Sequence, residues 1–187
     1  MLQPSVEAEL QAAAQAIAQG GLVAYPTEAV YGLGCDPDNQ AAVLRLLALK
    51  QRPIHKGLIL IGASLEQLLP WVVLCPKQQA TVSASWPGPT TWVVPASDRV
   101  PNWVRGEHCT VAIRVSGHPI ARRLCAIVGK PIISTSANPA GQPPARNHKE
   151  AQQYFSQQLD SLVSGQCDIA AKPSTIIELQ TGATLRE

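Results

Sequence analysis

The segment Pro131-Ile-Ile-Ser-Thr-Ser-Ala-Asn138 runs from apolar residues into hydroxyl and amide side chains. Its apolar part predicts a buried strand over residues 132–135, and strand ends of this polarity are where functional sites commonly lie. A second polar segment, Lys50-Gln51-Arg52, follows a leucine-rich helix pattern. Paired cations suit a polyphosphate, and hydroxyl and amide groups suit a nucleotide. Neither segment decides the function alone, because cations at a helix end are commonly just solvated.

Strand patterns alternate with helix patterns along the chain. Apolar residues at helical spacing predict helices over residues 7–18, 39–49, 76–84 and 118–128, with shorter ones after Ser64 and Asn147, each opened by a capping box. Short apolar runs predict strands over 22–25, 58–61, 90–94, 110–115, 132–135 and 174–179, the last one closing the chain, and residues 27–36 predict a loop. Several connections are too short for a parallel crossover. We therefore predict one α/β domain over residues 1–187 with a mixed sheet.

Composition excludes several classes of protein. With 187 residues, 45% of them hydrophobic, the chain can bury a substantial core. Its net charge of +2 argues against a protein whose whole surface grips nucleic acid. Five widely spaced cysteines without a C-x-x-C pair indicate reduced thiols rather than a disulfide framework or a zinc site. Without a signal peptide pattern or an 18-residue apolar run, we expect a cytoplasmic protein that is not in a membrane.

Arg114 is the most informative charge within a predicted strand. Side chains alternate along the strand 110–115, so Thr110, Ala112 and Arg114 share one face while the valines and the isoleucine share the other. An arginine is costly to bury without an anionic partner. Two interpretations follow: an edge strand whose second face is wet, or a cavity wall in which Arg114 receives a carboxylate or a phosphate.

Common catalytic motifs are missing from the sequence. It contains no G-x-x-x-x-G-K-[ST] phosphate loop, no G-x-G-x-x-G after the first strand and no G-x-S-x-G nucleophile elbow. The four histidines show no metal-ligand spacing. We therefore expect no protein-bound metal.

Six segments nevertheless resemble a known family when they are taken in order. They are Tyr25-Pro-Thr-Glu-Ala-Val-Tyr-Gly-Leu-Gly-Cys-Asp36, Leu49-Lys-Gln-Arg-Pro53, Lys56-Gly-Leu-Ile-Leu-Ile61, Trp86-Pro-Gly-Pro89, Val111-Ala-Ile-Arg114 and Lys130-Pro-Ile-Ile-Ser-Thr-Ser-Ala-Asn138. In these segments the chain is similar to the YrdC-like family, specifically to its single-domain threonylcarbamoyl-AMP synthases (TsaC type). The resemblance runs from about Gly21 to the C-terminus.

This resemblance implies a fold and a reaction. The fold is a twisted, mixed sheet with helices around a large, positively lined cavity. The reaction joins L-threonine, bicarbonate or CO2 and ATP into threonylcarbamoyladenylate and pyrophosphate, with Mg²⁺ bridging the phosphates of ATP. The implied partners are a tRNA threonylcarbamoyltransferase complex, which places the group on tRNA adenosine 37, and RNA itself.

The resemblance also implies site residues. Lys50 and Arg52 would be catalytic, stabilising charge on the departing pyrophosphate. ATP would be held by Lys50, Arg52, Thr110, Ser136, Asn138 and Arg186. Threonine would be held by Thr27, Arg114, Ser134 and Ser174, with Arg114 pairing its carboxylate. Because Lys50 and Arg52 come at a helix end, we expect both to be exposed.

The sequence departs from the family pattern at two places. Relatives commonly carry Ser or Thr in the loop where this chain has Gln142-Pro143-Pro144. A glycine usually follows the C-terminal arginine, and none follows Arg186. These departures put a side-chain contact from the loop, and the ATP contact of Arg186, in doubt.

Two other functions compete with the synthase interpretation. One is a YrdC-like module that grips structured RNA without catalysis, although the low net charge and few aromatic residues count against it. The other is a carbamoyl-transfer domain of the hydrogenase-maturation type, which elsewhere accompanies zinc-finger and acylphosphatase-like parts. Pyrophosphate release that requires both threonine and bicarbonate separates the synthase from both.

Overall fold

Strand β5 (Thr110–Val115) lies in the middle of the sheet, although it carries Arg114. In the computed structural model, which describes residues 2–168 and 170–186, β5 is parallel to β3 (Ile59–Gly62) and antiparallel to β4 (Thr90–Pro95). The strand predicted over 110–115 is confirmed. The edge-strand interpretation of Arg114 is wrong, because a hydrogen-bonded neighbour lies on each side of β5.

The remaining strands extend this centre into a mixed sheet. They are β1 (Val23–Pro26), β2 (Tyr31–Gly34), β6 (Ile132–Ser136), β7 (Ser161–Leu162), β8 (Thr175–Glu178) and β9 (Thr184–Arg186). Among the described residues nine strands form one sheet in the order β7-β1-β2-β6-β3-β5-β4-β8-β9. Three neighbouring pairs are parallel, β1 with β7, β3 with β5 and β4 with β8, and the others are antiparallel. The predicted mixed α/β sheet is confirmed.

Helices flank the sheet and begin where the sequence provides caps. They are α1 (Pro4–Ala18), α2 (Gln40–Leu49), α3 (Leu65–Leu68), α4 (Pro76–Ser83), α5 (Asn102–Arg105), α6 (Pro119–Val128) and α7 (His148–Phe155), with 3-10 turns at Ile54–Lys56 and Leu69–Trp71. The side chain of Asn39 accepts from Ala42 N to start α2 (3.0 Å). Gly129 ends α6 in the left-handed conformation (φ +77°). None of the described helices has the length and apolarity needed to cross a bilayer.

Two apolar clusters cover opposite faces of the sheet. One joins Leu46 of α2 to Leu60 of β3 and Ile113 of β5. The other joins Leu10 of α1 and Leu124 of α6 to Ile61 of β3. Leu60 and Ile61 are neighbours in β3 and therefore point to opposite faces of the sheet. The two clusters, to which they belong, lie on these two faces. The cavity described below shares its face with Ile61, which lines it.

The prediction of a loop over residues 27–36 is wrong, because β2 lies within it. Tyr31 and Leu33 are fully buried, and β2 pairs with β1 and β6. Gly32 and Gly34 suggested a loop, but here they make room for neighbours. A Cβ on Gly34 would lie 2.6 Å from the carbonyl oxygen of Ile133 and 2.9 Å from the ring of Tyr25. The glycines are therefore required by close packing.

Two further predictions differ from the structure. The chain does not close with the strand predicted over 174–179, because β9 follows it and pairs antiparallel with β8. The capping box predicted at Ser64 is not formed, since the Ser64 side chain makes no capping bond. Gln67 instead accepts from Ala63 N and donates to the carbonyl of Cys125, which ties α3 to α6.

Candidate functional site

A cavity of about 530 Å³ opens on the face of the sheet that carries Arg114. Strand register explains its floor: Ile59 pairs with Ala112, and Ala112 pairs with Val93, so alternate residues of three strands face the same space. The volume is typical of small-molecule sites rather than of extended nucleic-acid grooves.

Most of the charged side chains that line the cavity are positive. Among the described lining residues only Glu28 and Glu178 are acidic. Burial lowers the pKa of Arg186, and the positive charges of Arg114 and Arg52 lower it further. Because these cations lie close enough to repel one another, an anion that enters the cavity is attracted by all of them. The basic lining residues are Arg52, Lys56, Arg105, His108, Arg114, Lys172 and Arg186.

Arg114 is held by a carboxylate at one end of the cavity. It is 8% exposed, and its Nη2 pairs with Oε2 of Glu28. The same oxygen accepts from Ser116 Oγ (2.9 Å), while Oε1 accepts from Gly117 N (2.7 Å). Burial lowers the pKa of Arg114, and Glu28 opposes that shift. Glu28 therefore joins the turn between β1 and β2 to the turn that precedes α6.

One donor of Arg114 has no partner. Its Nε is the single buried side-chain nitrogen or oxygen without a hydrogen bond in the described part of the chain. Leaving such a group unpaired costs about 1–3 kcal/mol. Arg114 lines the cavity as a residue, but this nitrogen is buried away from the cavity's open space.

Hydroxyl groups surround the same end of the cavity. Thr91 Oγ1 donates to Ser174 Oγ (2.9 Å), which also accepts from Arg186 Nη2 (3.1 Å). Thr27 Oγ1 donates to the carbonyl of Val30 (2.6 Å), and both Thr27 and Ser134 line the cavity. The four residues expected to hold threonine therefore come together, from four different segments.

The backbone conformation of Gln51 directs the side chains of Lys50 and Arg52 to different places. Gln51 has a left-handed backbone (φ +47°), and Arg52 N donates to Leu47 O (2.9 Å) to close the end of α2. Arg52 then lines the cavity, and its Nε and Nη2 donate to the carbonyl of Gly57 (3.1 and 2.8 Å). Lys50 points elsewhere, and the expectation that it is exposed is wrong: it is 8% exposed.

Eight of the ten residues expected at the site line the cavity. Lys50 and Asn138 are not among the described lining residues, so their contact with ATP stays a prediction. Pro144 of the loop that departs from the family pattern also lies in the lining. The eight are Thr27, Arg52, Thr110, Arg114, Ser134, Ser136, Ser174 and Arg186.

Sequence reasoning missed several residues of the site. Glu28 follows the predicted threonine contact Thr27, and that adjacency was the one available signal. Arg105 and Lys172 come from segments without a motif, and only the folded chain brings them to the cavity. His108 belongs to the same group, whereas Lys56 begins one of the six resembling segments and had been given no role.

Comparison with known proteins decides the family. A model of the Sua5/YciO/YrdC family, described as "Telomere recombination", matches residues 15–187. The chain belongs to this family. Curated members include the threonylcarbamoyl-AMP synthase of Vibrio parahaemolyticus, 50% identical over 92% of this chain and 95% of that protein. The corresponding protein of Cellvibrio japonicus is 48% identical over 100% of this chain and 99% of its own length.

A solved member of the Sua5/YciO/YrdC family contains a ligand. The crystal structure of P. abyssi Sua5 complexed with L-threonine matches with a TM-score of 0.87 and 35% identity. The match covers 94% of this chain and 52% of Sua5, so this chain corresponds to about half of that protein. The resemblance inferred from the sequence segments is confirmed at the level of the family and the fold.

Replacing Glu28 with alanine should destabilise the fold strongly. Arg114 would lose the charge that compensates its burial, and such losses cost about 2–4 kcal/mol when a cavity leaves some access to water. Urea unfolding of the two proteins measures the difference. The matched control is Glu7→Ala, which breaks the exposed pair between Glu7 and Arg123 and should change stability far less. Equal losses in the two variants would contradict the anchoring role of Glu28.

Proposed function

We propose that this chain acts as a threonylcarbamoyl-AMP synthase, joining L-threonine, bicarbonate or CO2 and ATP into threonylcarbamoyladenylate and pyrophosphate. The observation that carries the proposal is the buried Arg114 beside a cavity whose charged lining residues are mostly cations. The curated relatives of this name, nearly half identical over almost the whole chain, support the same reaction.

Threonine would occupy the end of the cavity around Arg114. Its carboxylate would pair with the guanidinium of Arg114, which lines the cavity. Its hydroxyl would meet the surrounding hydroxyl residues, for which Thr27, Ser134 and Ser174 are the candidates. A site with such groups favours a substrate hydroxyl over an apolar isostere.

ATP would extend toward the start of β5. Thr110 precedes Arg114 by four residues, which places them about 13 Å apart along the strand. Arg52 and Arg186 also line the cavity, with Lys56 and Arg105 as further cations, and Ser136 adds a hydroxyl. These charges suit the triphosphate. Lys50 and Asn138 do not line the cavity, and an ATP contact for them is the least supported part of the assignment.

The reaction requires alignment and charge stabilisation rather than a protein nucleophile. The neutral amine of threonine adds to CO2 and loses a proton, giving a carbamate. A carbamate oxygen forms a bond to the α-phosphorus while the bond to the β-phosphate oxygen breaks, and the electron pair leaves with pyrophosphate. Arg52 would stabilise the charge that builds on this leaving group.

Magnesium would arrive with ATP rather than in a protein cage. No group of three potential metal ligands occurs among the described residues, and Glu28 is already committed to Arg114. Mg²⁺ that bridges phosphates needs few protein ligands and neutralises charge on ATP. The residues present are therefore compatible with Mg-ATP as the substrate.

We further propose that the product passes to a tRNA threonylcarbamoyltransferase complex for adenosine 37, and that this occurs in the cytoplasm, where tRNA is modified. The adenylate is a reactive mixed anhydride, so transfer must follow quickly. The RNA-binding alternative lacks a supporting observation, because the basic residues line a cavity of small-molecule size.

Pyrophosphate release tests the reaction directly. The chain should release pyrophosphate from Mg-ATP only when threonine and bicarbonate are both present, because the carbamate is the nucleophile. A coupled phosphate assay with each component omitted in turn measures this dependence. Release without threonine would indicate a plain ATP pyrophosphohydrolase, and no release at all would contradict the proposed function.

Arg114→Lys tests the carboxylate contact. Lysine keeps the charge but lacks the planar fork and the Nε donor, so the KM for threonine should rise about tenfold or more. The KM for ATP should change far less, because ATP lies elsewhere in the cavity. Arg99→Lys, an exposed arginine that pairs with Asp38 outside the cavity, is the control and should leave both constants unchanged. An unchanged KM for threonine in Arg114→Lys would limit Arg114 to a structural role.

A further inference from the structure

The ammonium group of Lys50 is fully occupied by the turn that follows β6. Nζ donates to the carbonyl of Ser136 (2.6 Å), to the carbonyl of Asn138 (2.6 Å) and to Asn138 Oδ1 (2.7 Å). A lysine ammonium has three N–H donors, so these acceptors use all of them. A direct bond from Lys50 to a phosphate would require one of them to break.

Asn138 is equally committed. Its Oδ1 accepts from Lys50 and from Ser136 Oγ (2.7 Å). Its Nδ2 donates to the carbonyls of Pro139 (3.2 Å) and Gln142 (2.8 Å). Because lysine can only donate, the atom beside Nζ must be the amide oxygen, which fixes the orientation of this side chain. The amide holds the turn together and has no capacity left for a ligand.

Ser136 is the member of this network that reaches the cavity. Its hydroxyl donates to Asn138 Oδ1, and Ser136 lines the cavity. Because the proton of this hydroxyl is already used, the oxygen can only accept an N–H or O–H of a ligand. Lys50 determines this arrangement because it donates hydrogen bonds to the carbonyl of Ser136 and to the amide oxygen of Asn138, which accepts the hydrogen bond of the Ser136 hydroxyl.

We propose that Lys50 is a positioning residue, which acts on ATP through the Ser136–Asn138 turn and not by touching the phosphates. Arg52 is the one cation of the K-x-R segment that meets the nucleotide, and the left-handed Gln51 separates the two roles. This assignment rests on the proposed use of ATP and replaces the phosphate contact expected for Lys50 from the sequence.

The environment of Lys50 agrees with this role. Desolvation, with a smaller contribution from Arg52, lowers the pKa of Lys50 to about 8. A lysine that served as a phosphate clamp would gain from a more exposed and fully charged position. Buried with three oxygen acceptors, Lys50 instead resembles a structural cross-link between the end of α2 and the end of β6.

A double-mutant cycle distinguishes the two roles. Lys50→Met keeps the aliphatic stem and removes the donors, and Ser136→Ala removes the hydroxyl that Lys50 orients. We expect each variant to raise the dissociation constant for Mg-ATP about tenfold, and the double variant to be no worse than about twofold beyond the weaker-binding single variant. Isothermal titration calorimetry measures the four constants, whether or not the protein turns ATP over.

Arg52→Met combined with Ser136→Ala is the matched control. Its two effects should multiply, because Arg52 bonds the Gly57 carbonyl and not the turn. Multiplying effects for Lys50→Met and Ser136→Ala would overturn the proposal, and so would unchanged ATP affinity in Lys50→Met. A wild type that binds ATP but releases no pyrophosphate would contradict the proposed function while leaving this cycle valid.

A measurement on the unmodified protein covers the case in which Lys50→Met does not fold. Above a pH of about 8 the neutral amine keeps only two donors for three acceptors, so one bond to the turn is lost. We expect the NMR signals of the Ser136 amide and of the Asn138 side-chain amide to shift together through that pH. Signals that stay constant while the Cε signal of Lys50 titrates would contradict the contact on which the proposal depends.

Discussion

A cation in the middle of a sheet is the constraint on which the rest of this site depends. Arg114 is 8% exposed, on a strand that has a hydrogen-bonded neighbour on each side. Its charge is tolerated because Glu28 compensates it and because a cavity, not apolar packing, lies above it. The contact with Glu28 and the cavity together allow this residue to be buried and charged.

The same constraint connects segments that are distant along the chain. Glu28 receives hydrogen bonds from Ser116 and Gly117, so the β1–β2 turn cannot move independently of the start of α6. Ser174 is tied to Thr91 and Arg186, which brings the C-terminal strands to the same end of the cavity. The site is thus preorganised before any ligand arrives, which lowers the entropic cost of binding.

Much of the fold and part of the site could be predicted from local patterns. Side-chain alternation over 110–115 correctly placed Arg114 facing away from Val111 and Ile113, because strand geometry is a local property. The strand β2 could not be predicted, since glycines are typical of loops. The reason for Gly32 and Gly34 is their close contact with the Tyr25 ring, which only the folded structure shows. Glu28 as the partner of Arg114 was also inaccessible, because 86 positions separate them.

In the K-x-R and S-x-N segments, residues of one motif have different surroundings in the structure. Adjacent lysine and arginine residues suggest one clamp, yet a single left-handed residue sends Arg52 to the cavity and Lys50 into the turn. Ser136 and Asn138 differ in the same way. Ser136 lines the cavity, whereas the side-chain amide of Asn138 is hydrogen-bonded to Ser136 and to the carbonyl of Gln142. Two residues of one motif can therefore differ in role, since one contacts the substrate and the other supports it. The roles are distinguished by whether the polar atoms of a residue already have all their hydrogen-bond partners, not by the residue type.

The most direct test of the account is a crystal structure of this chain with L-threonine and a non-hydrolysable ATP analogue. The account places the threonine carboxylate within hydrogen-bond distance of the Arg114 guanidinium, about 2.7–3.0 Å, with Glu28 still bound to Arg114 and the triphosphate near Arg52. Threonine bound away from Arg114 would contradict the claim that this buried cation organises the site.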